Sequence, residues 1–416
     1  MANAKNILQL YFHNYLDGST YTIFWTSIII YSLGFLSYLS NHVISQLCLL
    51  IMIVGVVGMG YSFIRLVRLN ISNYYLRTIF TLFILWQIYI IFRGIQEFDF
   101  PMLLNSLFLP YYFLHYWVPL IILIPANIFF AKKTFHFFVV LSLLLFVVFL
   151  LFPNDMIGKN LDFSEQAIWT LGTGAGFLLL TWGYHNYKIR LIAFVTVLLC
   201  LFISTIMARR NIMITFSNFI IFSLIIAFLN SSQSIRSKIY ILTIVIFTSA
   251  LAYVIYFNYQ DKLFGKISGH LTENTRGLVI DAFLKDMSTQ DLIIGKGFLG
   301  EYYCPGAEEG KDNRFIIESG YLQTILKGGI ISLALFLLIA LPAAFLGIFK
   351  SNNMLSKASG TIVILWLIDM FPWGMPAINI RYILVWICIG ICYSKVIRNL
   401  SESDLKYSLI LQTKTK

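Results

Sequence analysis

The chain has 416 residues, of which 59% are hydrophobic and 12% are charged, and its formal net charge is +11. Because soluble domains carry about 25% charged residues, this composition excludes an ordinary water-soluble protein and indicates one that lies in a bilayer. The positive charge gives no reason to expect a nucleic-acid partner, since excess Lys and Arg in membrane proteins mark cytoplasmic loops. The five cysteines have no metal-ligand spacing and predict no disulfide framework.

Apolar segments long enough to cross the hydrocarbon, which takes about 20 residues, recur along the chain. They predict an all-α polytopic transmembrane bundle of about twelve spans, with nine spans in residues 1–257, three in 317–397 and a cytoplasmic tail at 398–416. Four prolines between 101 and 125 could make part of the fourth span tilted or re-entrant. The predicted spans are 21–39, 43–63, 76–92, 111–131, 135–152, 167–183, 189–206, 211–229, 238–257, 319–349, 358–371 and 380–397.

Basic residues alternate between the connections on the two sides of this predicted bundle. If the N-terminus is cytoplasmic, most Lys and Arg of the short connections fall inside, and the short outer connections hold only Arg93, Lys159, Arg209 and Arg210. This asymmetry predicts that both termini are cytoplasmic. The adjacent pair Arg209 and Arg210, in the short turn "MARRNIM", is the exception to the alternation.

A long polar segment, 258–316, is predicted to lie outside the cytoplasm, and loops of this length are usually functional. It contains "LIIGKGFLG" at 292–300, which matches the spacing G-x-G-x-x-G. That pattern indicates a dinucleotide site only between a strand and a helix of an α/β unit, and here it follows a predicted short helix. We therefore predict a turn in which Gly295 and Gly297 allow close backbone approach or positive φ.

Arginines are the candidate ligands for an anionic substrate. Neighbouring helical residues point about 100° apart, so at least one of Arg209 and Arg210 should face the bundle, and an anion site is favoured over contacts with lipid headgroups. Arg276 is predicted near the N-terminus of an amphipathic helix that lies on or near the membrane surface, where the helix dipole and the guanidinium both favour a phosphate. The alternative is an ion pair of Arg276 with Glu273 or Asp281.

Four other charged residues lie where predicted spans meet the outside. Glu318 is either an acid stabilised by a helix N-terminus or a group that accepts a proton. Asp369 and Arg381 flank the last outer turn, and an ion pair between their helices is favoured over a substrate contact. Lys327 is predicted to act as a structural partner.

The order of these features resembles the O-antigen ligase/polymerase superfamily, the Wzy/WaaL-like membrane glycosyltransferases. The resemblance covers about residues 200–345 and rests on three stretches in order: "STIMARRNIM", "NTRGLVIDAFLKDMSTQDLIIGKGFLG" and "ESGYLQTILKGGIISLALFL". The corresponding family patterns are roughly S-x-S-R-G, then R-x-x-x-x-x-x-A and P-L-x-G-x-G, then H-N-x-Y-L-x-x-L-x-x-x-G-x-x-G. The histidine of the last pattern is replaced by Glu318, which favours a polymerase over a ligase.

The resemblance implies a GT-C-like transferase in the bacterial plasma (inner) membrane that needs no metal or other cofactor. Its substrate would be an oligosaccharide linked to undecaprenyl diphosphate, and a chain-length regulator is an expected partner. Arg276 and Arg210 (or Arg209) would bind the diphosphate and stabilise its developing charge. We take Glu318 as the candidate base for the acceptor hydroxyl, and Tyr302, Tyr303 and Tyr321 as candidate contacts of the glycan.

Three other functions remain open. One is an O-antigen ligase that transfers polymer to lipid A core. Another is a flippase or secondary transporter, which would also have about a dozen helices but usually shows repeated halves and ionisable groups near the midplane. A structural role in a polysaccharide export complex is the third, non-catalytic possibility.

Overall fold

The computed structural model describes residues 18–40, 43–69, 71–94, 108–207, 209–229, 275–308 and 311–411. Within these ranges a few side chains, including that of Arg276, lie outside the description. The predicted span 238–257 and residues 258–274 of the predicted outer segment also lie outside the described residues.

The first half of the described chain consists of helical elements only. Six long helices are joined by shorter helical pieces. In chain order the elements are α1 Gly18–Ser40, α2 Ser45–Leu66, α3 Tyr74–Gly94, a 3-10 helix Phe113–Leu123, α4 Ile128–Leu151, a π turn Asp155–Lys159, α5 Leu161–Ala167, a π turn Ile168–Gly172, α6 Thr173–Leu180, a 3-10 turn Trp182–Tyr184, α7 Tyr187–Ile206 and α8 Arg210–Leu229.

The second half adds a small mixed unit and then returns to helices. Its elements are α9 Thr275–Asp286, α10 Thr289–Ile294, β1 Tyr302–Glu308, β2 Lys311–Arg314, α11 Gly320–Phe349, α12 Met354–Asp369, α13 Ile380–Tyr393, α14 Lys395–Asn399 and α15 Glu402–Leu411.

Seven helices among the described residues are long and apolar enough to cross a membrane, namely α1, α2, α3, α4, α7, α8 and α11. They support a membrane-embedded, helical, polytopic protein. The predicted number of twelve spans is not confirmed. Four predicted spans take shorter or interrupted forms: 111–131, 167–183, 358–371 and 380–397.

The fourth predicted span begins as a 3-10 helix because of its prolines. Pro119 lies inside Phe113–Leu123 and has no N–H to donate to a helical hydrogen bond. The chain then turns, and Asn127 caps α4 by accepting a hydrogen bond from the Phe130 N–H, at 2.7 Å. The predicted span 111–131, part of which the prolines could make tilted or re-entrant, is therefore divided between this 3-10 helix and the start of α4.

The other three segments are short because they lie within the protein. The segment 161–180 is interrupted by the π turn Ile168–Gly172, α12 has 16 residues and α13 has 14. Nearly every side chain of α13 is buried, which is typical of a helix surrounded by protein on all sides. Such segments need not match the lipid thickness, because neighbouring helices shield them.

Backbone contacts define two ends of the bundle. At one end, which we call the basic end, the Arg68 N–H donates to the Leu123 carbonyl at 2.9 Å, and Arg398 donates to the Lys350 carbonyl at 3.1 Å. At the other, which we call the loop end, the Ile378 N–H donates to the Pro110 carbonyl at 2.9 Å.

A small unit made of α9, α10 and the β1–β2 hairpin packs on the loop end. Its core contains Phe283, Met287, Tyr302, Ile317 and Leu326. The two short helices agree with the prediction, whereas the antiparallel hairpin was not predicted. In α9, Val279, Phe283 and Met287 pack in the core of this unit, whereas Ile280 is 38% exposed. That α9 lies on or near the membrane surface remains a prediction.

Candidate functional site

The glycine turn at 295–300 docks on an interruption of α11. Gly329 has φ 67° and ψ −177°, so α11 consists of two helical halves joined at this residue. Gly295 and Gly297 have φ of 76° and 85°, as predicted for this turn. A Cβ on Gly295 would lie 2.4 Å from the Lys327 carbonyl oxygen, and one on Gly329 would lie 2.0 Å from that of Ile293. Only glycine allows this backbone contact.

The turn and one indole satisfy the carbonyl groups that the interruption leaves free. The Lys296 N–H donates to the Leu326 carbonyl at 2.8 Å, and the Gly297 N–H donates to the Lys327 carbonyl at 2.9 Å. The Trp86 indole donates to the Gly328 carbonyl, also at 2.8 Å. A buried backbone carbonyl without a partner is costly, so these bonds stabilise the interrupted helix.

A cavity of about 40 Å³ lies beside this interruption, between α3, the 3-10 helix Phe113–Leu123, α11, α12 and α13. That volume admits a few waters or one small group, since one water needs about 10–15 Å³ on this measure. The cavity is too small for a glycan chain. Its polar lining comes from Gln87, Tyr111, His115, Tyr116, Gln323, Thr324, Lys327, Ser332, Trp366 and Tyr382.

Lys327 is the cation that lines this cavity. Its side chain is only 5% exposed. The ammonium donates to the Gly300 carbonyl at 2.7 Å and lies 3.2 Å from the centroid of the Phe315 ring. The predicted structural role is consistent with these contacts, but the position of Lys327 against the cavity was not predicted.

A series of polar residues connects the cavity to Arg209. Tyr111 lines the cavity and accepts a hydrogen bond from the Gln166 amide at 2.7 Å. The neighbouring Glu165 is buried, and its carboxylate lies 3.3 Å from Nε of Arg209. Arg209 therefore faces the bundle, as expected for at least one of the two arginines, but a carboxylate already holds it.

The structure does not place the guanidinium groups of the other two candidate arginines beside that of Arg209. Arg210 begins α8, and its side chain is exposed. The backbone of Arg276 lies in the first turn of α9, as predicted, but its side chain is outside the described residues. A cluster of three guanidinium groups remains a prediction.

The predicted ion pair between Asp369 and Arg381 is confirmed. Both side chains are buried, and Nη2 of Arg381 contacts Oδ2 of Asp369. The Thr215 hydroxyl donates to the other carboxylate oxygen at 2.8 Å. The guanidinium carbon lies 3.9 Å from the centroid of the Trp169 ring. The pair thus links α8, α12 and α13 at the loop end.

Glu318 lies outside the bundle core. It precedes Ser319, which occupies the N-cap position of α11, and the Glu318 side chain is exposed. This position suits both a stabilising acid near a helix N-terminus and a group that meets substrate from outside. The choice between the two roles stays open.

The three candidate glycan contacts differ in accessibility. Tyr303 is 52% exposed, whereas Tyr302 is buried in the core of the small unit and presents no free ring face. Burial raises the pKa of the Tyr302 hydroxyl to about 12, partly offset by the nearby Arg314. Tyr321 is partly buried and donates to the Leu367 carbonyl at 2.8 Å. Tyr303 is the best placed of the three.

Sequence reasoning missed Glu165 and Tyr116. Glu165 was recognisable as a carboxylate just before an apolar segment, but its partner Arg209 lies more than forty positions away in the sequence. Tyr116 belongs to the aromatic run "YYFLHYW" at 111–117. Only the packing of the 3-10 helix brings it to the cavity.

No family model, curated protein or solved structure matches this chain. The function must therefore be argued from the sequence pattern and from the geometry of the loop end.

Proposed function

We propose that the chain is a membrane glycosyltransferase of the O-antigen ligase/polymerase type. It would act as a polymerase, moving a glycan from undecaprenyl diphosphate to an acceptor sugar hydroxyl at the outer face of the bacterial plasma membrane. One observation carries the proposal: the small unit of α9, α10 and the β1–β2 hairpin packs on the end of the bundle where Lys327 lines a cavity and where Arg209 and Arg210 lie.

The length of α11 supports a site at the membrane boundary. Its second half, residues 330–349, measures about 30 Å at 1.5 Å per residue, which equals the hydrocarbon thickness. If this half spans the hydrocarbon, the interruption at Gly329 would lie near the level of the lipid headgroups, with the cavity beside it. A lipid-linked donor carries its diphosphate at this level and its glycan in water.

Each candidate residue would have its own role in such a transfer. Arg210 and Arg276 would bind the donor diphosphate and stabilise the charge that grows on it as the glycosyl bond breaks. Glu318 would accept the proton of the acceptor hydroxyl, and Tyr303 would contact the glycan. Arg209, held by Glu165, is better suited to positioning the start of α8.

Replacing Arg210 tests this proposal in cells. Arg210→Ala should shorten or abolish polymer on the carrier lipid while the protein still inserts, and Arg276→Ala should do the same. Arg68→Ala is the matched control, because Arg68 is also exposed but lies at the basic end. Unchanged chain length in both arginine variants would contradict the catalytic role.

A transporter or lipid-glycan flippase is the second candidate. An interrupted helix beside a buried ionisable residue is typical of secondary transporters, and α11 with Lys327 has this form. The inferred position of the interruption, near the lipid headgroups, argues against a transporter, because transporter sites usually lie near the midplane of the bilayer. Movement of lipid-linked glycan across vesicles without chain growth would favour it.

A further inference from the structure

Lys327 is the lysine among the residues that line the cavity beside the interrupted α11. None of the Asp and Glu residues in the described ranges forms an ion pair with Lys327. The carboxylate of Glu301, whose field reaches Lys327, is exposed. A buried ammonium group is costly unless an opposite charge or several hydrogen bonds offset its loss of water. One carbonyl and one ring face supply only part of that compensation.

Two of the hydroxyl groups that line this cavity, those of Tyr116 and Ser332, lack a good hydrogen-bond partner within the described part of the chain. Tyr116 is 5% exposed, and its hydroxyl has no hydrogen-bond partner within the described part of the chain. Ser332 is 3% exposed, and its oxygen receives only a long contact of 3.5 Å from the Gln87 amide. Buried polar groups are normally hydrogen-bonded, so these hydroxyls indicate that something polar occupies the cavity.

The backbone adds positive potential from the same side. The second half of α11 begins directly after Gly329, and Ser332 lies in its first turn. The first N–H groups of a helix have no partner within it, and the helix dipole favours an anion there. A helix N-terminus, a lysine and two hydroxyls together form the donor set that binds phosphate in proteins.

We propose that this cavity binds one phosphate group, with Lys327 as its counter-ion and Tyr116 and Ser332 as hydrogen-bond donors. The volume of about 40 Å³ suits one small group and excludes a sugar chain. The phosphate would belong either to a lipid headgroup that enters from the bilayer or to a free anion. The site does not depend on the proposed transfer reaction, and it would serve a transporter equally well.

Ligand-induced stabilisation of the purified full-length protein tests the site. Thermal unfolding in detergent would be followed with inorganic phosphate and, separately, with a short-chain polyprenyl phosphate, each against chloride at equal ionic strength. We expect at least one of them to raise the Tm of the unmodified protein as its concentration increases. In Lys327→Met the apparent affinity should fall by about tenfold or more, since charged hydrogen bonds contribute roughly 1.5–3 kcal/mol.

Lys350→Met is the matched control, because Lys350 follows the same helix but is exposed at the basic end. It should retain the full response. Stabilisation by the lipid phosphate alone assigns the group to a headgroup, and stabilisation by both ligands assigns it to phosphate in general. No stabilisation by either ligand, or an equal response in Lys327→Met, would overturn the proposal.

A second variant tests the site even if Lys327→Met does not fold. Tyr116→Phe removes the hydroxyl and keeps the ring, so the fold should persist and the phosphate affinity should fall several-fold. An unchanged affinity in this variant would overturn the assignment of the site. Because binding is measured without glycan transfer, a negative result here leaves the transferase proposal to its own test.

Discussion

Three buried charges in this bundle are stabilised in different ways. Within the described part of the chain, Arg381 contacts a carboxylate and two indole rings, and Glu165 contacts a partly exposed arginine and the Trp169 indole. Lys327 contacts a carbonyl oxygen and a phenyl ring there. The pairing of Asp369 with Arg381 was predictable because the two residues flank one short turn. The partners of Glu165 and Lys327 were not, because they depend on how distant segments pack.

Removing one member of the buried Asp369–Arg381 pair should destabilise the protein strongly. Arg381→Met keeps an apolar side chain between the indoles but leaves the Asp369 carboxylate without its counter-ion, at a cost of about 3–5 kcal/mol. The measurement is thermal unfolding in detergent. Adding Asp369→Asn to Arg381→Met should recover much of the loss, and equal Tm values for the single and double variants would contradict this account.

Continuous helices were predictable from the sequence, whereas the positions where a helix is interrupted were not. The glycine turn was recognised from Gly295 and Gly297, since their spacing is typical of tight backbone approach. Its docking partner was not, because "KGG" at 327–329 lies inside an apolar run that matches one long helix. The interruption forms only because the turn and Trp86 satisfy the carbonyls that it frees.

Adding one methyl group at the interruption should destabilise the protein far more than adding one at an uncrowded position in another helix. Gly329→Ala places a Cβ 2.0 Å from the Ile293 carbonyl oxygen at a φ of 67°, so we expect a loss of at least about 2 kcal/mol. Gly60→Ala is the control, since no atom lies within 4 Å of its Cβ position in α2. Thermal unfolding should show a Tm several degrees lower for Gly329→Ala and a Tm unchanged or slightly higher for Gly60→Ala. Equal effects would contradict the observed backbone contact.

The whole molecule has a basic end and a loop end, and hydropathy with charge asymmetry predicted this division. The number of spans was less predictable, because composition cannot distinguish a helix that meets lipid from a short one that neighbouring helices surround. The segment 161–180 and α13 are apolar enough to resemble spans, but protein contacts rather than bilayer thickness determine their lengths.

Labelling with a membrane-impermeant thiol reagent tests the predicted orientation. All five native cysteines are buried, so background labelling should be low. Tyr303→Cys, at a site 52% exposed on the loop end, should react in intact cells once any outer barrier is removed. Tyr407→Cys, at a site 65% exposed in α15, should react only after the plasma membrane is opened. The reverse order would show that the orientation is wrong.

Chain growth by the purified protein is the most direct measurement of the proposed transferase. The protein would be incubated with lipid-linked repeat units, with and without a lipid A core acceptor and without added metal. A ladder of longer glycans on the carrier lipid, formed without the core and lost in Arg210→Ala, is the predicted result. Transfer only to the core would show a ligase instead, and no transfer to either acceptor would contradict the account.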